Sequence, residues 1–124
     1  MRQGEPASEH TILLVDDEAQ IRSMLHDLLV CHGYKVIQAA DGLDALEKFK
    51  LNVQEIKLVV TDIVMPRLDG LSSIKIMRTI TPSVKVLLMS GYASDQPAPD
   101  GVSLIPKPFT PADFLQAIRS SLGD

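Results

Sequence analysis

The sequence predicts a doubly wound α/β domain, a parallel sheet covered by helices on both faces. Three observations predict it. Short apolar runs such as Ile12-Leu13-Leu14-Val15 and Leu58-Val59-Val60 lack polar alternation, as strands buried on both faces do. Stretches with apolar residues at helical spacing separate such runs, so that five strands alternate with helices. Two of the runs are followed directly by acids, Asp16-Asp17 and Asp62. In an open α/β sheet the carboxyl edge of the strands is where chemistry is placed.

The elements follow in order. Residues 1–10 are polar, include Gly4 and Pro6, and read as a flexible N-terminal tail ahead of a domain spanning 11–124. The first strand is Thr11–Val15. A helix then starts near Glu18, with Ile21, Met24, Leu25, Leu28 and Cys31 proposed as its inner face and Gly33 as its stop. Lys35–Ala39 is the second strand, and Asp41 caps a helix that buries Ala45, Leu46 and Phe49. Leu58–Thr61 is the third strand. Gly70 breaks the loop after Asp62, and Leu71, Ile74, Met77 and Ile80 line the third helix. Val84–Met89 and Val102–Ile105 are the last two strands. Thr110-Pro111-Ala112-Asp113 caps a final helix with Phe114, Leu115, Ile118 and Leu122 inward.

Composition narrows the function. At 124 residues the chain is one domain, with ordinary soluble proportions of 45% hydrophobic and 23% charged residues. A net charge of −4 offers no basic field for a nucleic acid backbone. No apolar run approaches the ~20 residues that span a bilayer, and no secretory signal opens the chain. The single cysteine, Cys31, cannot form an internal disulfide, which fits a cytoplasmic location. His10, His26 and His32 lack a metal-ligand spacing.

The residue following each strand carries the chemistry. Asp16 and Asp17 follow the first strand, Asp62 the third, Ser90 the fourth and Lys107 the fifth. At an effective dielectric near 20, two unit charges ~4 Å apart repel by about 4 kcal/mol, so three gathered acids must hold protons or a cation. Mg2+ suits such a site because it takes few carboxylates, keeps its waters and reaches for phosphate oxygen. A hydroxyl and an ammonium complete a pocket for an anion that arrives with a metal. Taken singly, each piece has a plainer role: an Asp as a helix N-cap, Ser90-Gly91 as a turn, Lys107 as solvated surface.

Taken together, Asp16-Asp17, the run from Asp62 through Met65-Pro66 to Leu68-Asp69-Gly70, Met89-Ser90-Gly91-Tyr92-Ala93 and Lys107-Pro108-Phe109 resemble the receiver domain of bacterial two-component response regulators. The resemblance runs from about Thr11 to Leu122. It implies a flavodoxin-like sheet of order 2-1-3-4-5. It further implies that Asp62 accepts a phosphoryl group from a histidine kinase or histidine phosphotransfer domain, and that Mg2+ is held by Asp17 directly and by Asp16 through water. Asp62 and the backbone carbonyl of Val64 complete the implied metal ligands. Ser90 matches the switch hydroxyl and Lys107 the phosphoryl-pairing lysine, with the bond to Pro108 cis. Such a domain catalyses its own phosphorylation and dephosphorylation without being a turnover enzyme alone. The segments Met89–Ala93 and Lys107–Leu122 resemble receivers fused to hybrid sensor histidine kinases, and free-standing receivers share them.

The chain departs from that pattern in two places. Leu104 stands where receivers commonly carry an inward-turning aromatic residue. Only eleven residues, among them Pro97, Pro99 and Gly101, separate Ser90 from Val102, so the fourth helix of the family is expected to be reduced or absent and residues 94–101 mobile. These departures leave a phosphorylation-independent interaction module of the same fold as the alternative. An FMN binder is disfavoured because Asp16-Asp17-Glu18 would repel bare phosphate. A haloacid-dehalogenase-like phosphatase needs an acid at the position of Val64.

Overall fold

The computed structural model describes residues 10–91 and 101–123. Of the expected tail, residues 1–10, residues 1–9 lie outside the described residues, while the His10 carbonyl accepts the Lys35 N–H. Five parallel strands, β1 (Thr11–Val15), β2 (Lys35–Ala39), β3 (Ile56–Asp62), β4 (Lys85–Ser90) and β5 (Val102–Pro106), form one sheet in the order β2-β1-β3-β4-β5. Helices α1 (Ala19–Cys31), α2 (Gly42–Leu51), α3 (Gly70–Ile80) and α4 (Pro111–Leu122) complete the described elements. The reduced or absent helix expected between β4 and β5 concerns residues 92–100, which also lie outside the described residues.

The period-2 geometry of the central strands divides the core into two layers. Ile12, Leu14, Leu58, Val60, Leu87 and Met89 face α1 and α4, where Leu25, Leu29, Phe114 and Ile118 meet them. Leu13, Val15, Val59, Val86 and Leu88 face α2 and α3, against Ala45, Phe49, Ile74 and Met77. Both faces are covered, so β1 is buried along its whole length, whereas the edge strand β2 is mostly half-buried and β5 mostly open.

Helix ends follow local chemistry. Asp41 accepts the Asp44 N–H at 2.9 Å and caps α2, while Asp69 accepts the Ser72 N–H at 2.7 Å and caps α3. Thr110 and Asp113 form the expected capping box of α4. At the end of α1, Gly33 takes φ 91°, with its N–H on the Val30 carbonyl and the Tyr34 N–H on the Leu29 carbonyl, a Schellman ending. The expected inner face of α1 needs correction. Leu25 and Leu29 are its buried residues, while Met24 is 59% exposed and Cys31 lies outside. The apolar run from Met24 to Cys31 offers two helical stripes, and the one centred on Leu25 and Leu29 meets the sheet. Ile80, expected inward on α3, is exposed near the helix end. Among the described residues no helix is long and apolar enough to cross a membrane.

Candidate functional site

The sheet register brings the strand ends level. Val15 pairs with Thr61, Asp62 with Met89, and Ser90 with Pro106, so Asp16, Asp62, Ser90 and Lys107 emerge at one edge. Carboxylate oxygens of Asp16, Asp17 and Asp62 lie within 4.8 Å of one another. Asp16 is 0% exposed, Asp62 is half-buried and Asp17 is exposed.

The Asp16 carboxylate is incompletely satisfied. Its Oδ1 accepts the Glu18 N–H at 2.9 Å, but its buried Oδ2 has no hydrogen-bond partner and lies 3.9 Å from Lys107 Nζ. Burial pushes the Asp16 carboxyl up. The Glu18 N–H and Lys107 oppose this, and repulsion from Asp62 and Asp17 adds to it. Arg22, one turn into α1, donates to the Asp16 carbonyl at 2.6 Å and holds the turn that carries both acids.

Lys107 sits against Asp62. Its Nζ donates to Asp62 Oδ2 at 2.8 Å, and its backbone N–H donates to the Ser90 carbonyl at 2.6 Å. Burial alone would lower the Lys107 ammonium, but Asp62 and then Asp16 outweigh it and hold it above its ordinary value. The Lys107–Pro108 bond is cis, as the resemblance implied. Ser90 is buried at the end of β4. The pocket thus gathers three carboxylates against one ammonium.

The loop from β3 to α3 is closed tightly. The Gly70 N–H donates to the Ile63 carbonyl at 2.8 Å, and Ser73 Oγ donates to the Gly70 carbonyl at 2.9 Å. A Cβ on Gly70 would stand 2.2 Å from the Asp62 carbonyl oxygen, so glycine is required for this approach. Met65 is buried beneath the loop, while Val64 turns its side chain outward, 69% exposed. Arg67 adopts φ 69° and makes a bidentate pair with Asp41, Nε to Oδ2 at 2.7 Å and Nη2 to Oδ1 at 2.9 Å. A Cβ on Gly42 would lie 2.1 Å from the Leu68 carbonyl oxygen, so this loop rests directly on the start of α2.

Asp16, Asp17, Asp62 and Lys107 come together at the strand ends, beside the end of β4 that carries Ser90, and Leu104 is 45% exposed on the edge strand β5. Arg22 and Arg67 were missed. Arg22 carries only the weak signal of a cation in the helix after the acids. Arg67 and Asp41 are 26 residues apart, with no periodicity to link them.

Comparison with known proteins decides the family. The family model described as the response regulator receiver domain matches residues 12–119. The chain belongs to that family. This receiver domain is 35% identical over 117 residues to the sensor kinase CckA of Brucella abortus, covering 90% of this chain and 12% of that protein. It is 34% identical over 119 residues to the chemotaxis protein CheY of Bacillus subtilis, covering 91% of this chain and 98% of that protein. The chain thus spans about an eighth of one relative and nearly all of the other. Among solved structures, the CheX-CheY-BeF3-Mg2+ complex from Borrelia burgdorferi matches with a TM-score of 0.83 and 29% identity, covering 90% of this chain and 87% of that one. The receiver is thereby a module of two-component signalling, and its relatives include chemotaxis proteins and a sensor kinase.

Proposed function

We propose that Asp62 accepts a phosphoryl group from a phosphohistidine of a histidine kinase or phosphotransfer protein, in a Mg2+-dependent reaction. The observation that carries this reading is the buried Asp16 Oδ2, without a hydrogen bond, inside a triad of carboxylates whose salt-bridge partner among the described residues is Lys107. A divalent cation fits there because hard oxygen ligands are already gathered and one ammonium, that of Lys107, offsets only part of their mutual repulsion. Asp16, Asp17, Asp62 and the Val64 carbonyl would hold it. When bound, Mg2+ supplies positive charge against the phosphoryl oxygens and the attacking carboxylate. The Borrelia relative, whose structure contains BeF3 and Mg2+, supports this assignment.

The chain's own residues do the rest. Lys107 fixes one Asp62 oxygen and balances charge as a carboxylate oxygen bonds to phosphorus. The phosphorus–nitrogen bond breaks, and the imidazole leaves with the electron pair. Ser90 stands at the neighbouring strand end, placed to donate its hydroxyl to a phosphoryl oxygen. Water later cleaves the acyl phosphate, releasing inorganic phosphate and restoring Asp62. Val64 brings no acid or amide to orient that water, which favours a long-lived phosphorylated state. In the receiver resemblance the side chains two positions after the phosphoacceptor and two after the switch hydroxyl, Val64 and Tyr92, flank that water's path, and Tyr92 lies outside the described residues. As the resemblance implies, Asp17, the more accessible acid, would take the direct metal bond and Asp16 the water-mediated one.

This reading takes residues 11–124 as the receiver unit, acting in the cytoplasm without direct nucleic acid contact. Incubation with acetyl phosphate and Mg2+ should add one phosphoryl group by intact mass, removed by EDTA or by Asp62→Asn. Equal labelling of Asp62→Asn would overturn the assignment. The exposed Leu104, in place of an inward aromatic, favours the second reading, a module whose partner binding ignores phosphorylation; partner affinity unaltered by labelling would support it.

A further inference from the structure

The geometry points to Arg67 as a positioning residue: by bracing the loop after Asp62 against the Asp41–Gly42 junction, it sets the spacing of the acid pocket for its divalent cation. The inference rests on the proposed reading of that pocket.

A long side chain at φ 69° occupies a backbone region that most residues avoid, so the surroundings must hold it there. What holds it is the bidentate fork onto Asp41, with the Leu68 carbonyl seated over Gly42. Asp41 is a rigid anchor, because it is buried and also caps α2 through the Asp44 N–H. Two residues before it, the Ala39 carbonyl accepts the Asp16 N–H at 3.2 Å. The segment 39–41 therefore touches both acid-bearing pieces of chain. One contact is the hydrogen bond to Asp16, and the other is the Arg67 brace to the loop that follows Asp62 and carries Val64. Without the brace, that loop would keep its closure through Gly70 and its seat on Gly42 but lose its charged tie to the segment bonded to Asp16. Mg2+ demands near-ideal ligand geometry, so such a loss should appear in metal affinity.

The Arg67 side chain is 56% exposed, and half-exposed ion pairs add little to folding. Its removal should therefore separate positioning from stability. Mg2+ titrations followed by backbone amide shifts would compare wild type, Arg67→Met, Arg67→Gly, Arg67→Lys and Asp62→Asn, each checked for a thermal midpoint. Arg67→Gly keeps the turn free of strain, which guards against a variant that merely misfolds. Arg67→Met and Arg67→Gly should bind Mg2+ about tenfold more weakly, the scale typical of residues that orient metal ligands. Arg67→Lys, which retains charge without the fork, should fall between them and wild type. Wild-type affinity in both Met and Gly variants, with binding lost in Asp62→Asn, would overturn the brace alone. Wild-type affinity in Asp62→Asn would overturn the pocket assignment and the brace with it.

Discussion

Asp16 and Asp41 are both buried acids just beyond the carboxyl ends of neighbouring strands, and the structure treats them oppositely. Asp41 has a complete set of partners: the Arg67 fork on its two oxygens and the Asp44 N–H on one of them. The Arg67 hydrogen bonds, then the Asp44 N–H, hold its carboxyl below the usual range. Asp16 has one N–H on Oδ1, no hydrogen bond on Oδ2, where Lys107 Nζ stands 3.9 Å away, and two further acids nearby, and burial pushes its carboxyl up. A buried carboxylate with full partners builds structure, whereas one left incomplete is available to a ligand.

The largest effects should come from the two glycines on which this contrast depends. Gly42→Ala would drive a Cβ into the Leu68 carbonyl and Gly70→Ala into that of Asp62, both backbone atoms that cannot swing aside. Each should lower stability by about 3 kcal/mol in denaturant unfolding. A change under about 1 kcal/mol would mean that the loop is less tightly seated than its contacts indicate. Next, Asp41→Ala should lose about 2 kcal/mol, because it removes a helix cap as well as the Arg67 partner.

Metal should act on one region only. At a tenfold excess over its Kd, Mg2+ should stabilise the wild type by about 1.4 kcal/mol and leave Asp17→Asn nearly unmoved. Calorimetric affinities should fall more for Asp17→Asn than for Asp16→Asn, and the reverse ranking would exchange their roles.

The smallest effect concerns pH. Asp41 has a folded pKa below its ordinary 3.8, so the unfolded chain binds more protons between the two values. Its contribution is fully present above the ordinary value and is lost as pH falls through the folded one. Asp16 carries the opposite sign: its folded pKa is raised, so stability rises as pH falls from that value toward 3.8. Arg67→Met should flatten the Asp41 limb in denaturant midpoints measured from about pH 5 to about pH 2.5, leaving the Asp16 limb in place.

Much of this was legible in the sequence, because parallel strands buried on both faces read as apolar runs and each following residue lands on one edge. That rule alone placed Asp16, Asp17, Asp62, Ser90 and Lys107. The face of α1 was read too widely: Leu25 with Ile21 and Leu28 does meet the core, but Met24 and Cys31 share the helical spacing and lie outside, and only packing on the sheet separates them. The Asp41 cap was legible from its place before an amphipathic run. Its second partner was not, since a fork reaching back from a left-handed turn leaves no spacing to read.

The contrast between the two acids is tested most directly by unfolding Asp16→Asn and Asp41→Asn in denaturant with EDTA present. An amide at Asp16 keeps an acceptor for the Glu18 N–H and removes a charge from the triad. This variant should match or exceed wild-type stability, by up to about 1 kcal/mol. Asp41→Asn keeps a cap for α2 but gives up the charge facing the half-exposed Arg67, and should lose about 0.5–1 kcal/mol. Equal destabilisation by both substitutions would contradict the account, because Asp16 would then be as structurally committed as Asp41 and not held open for a cation.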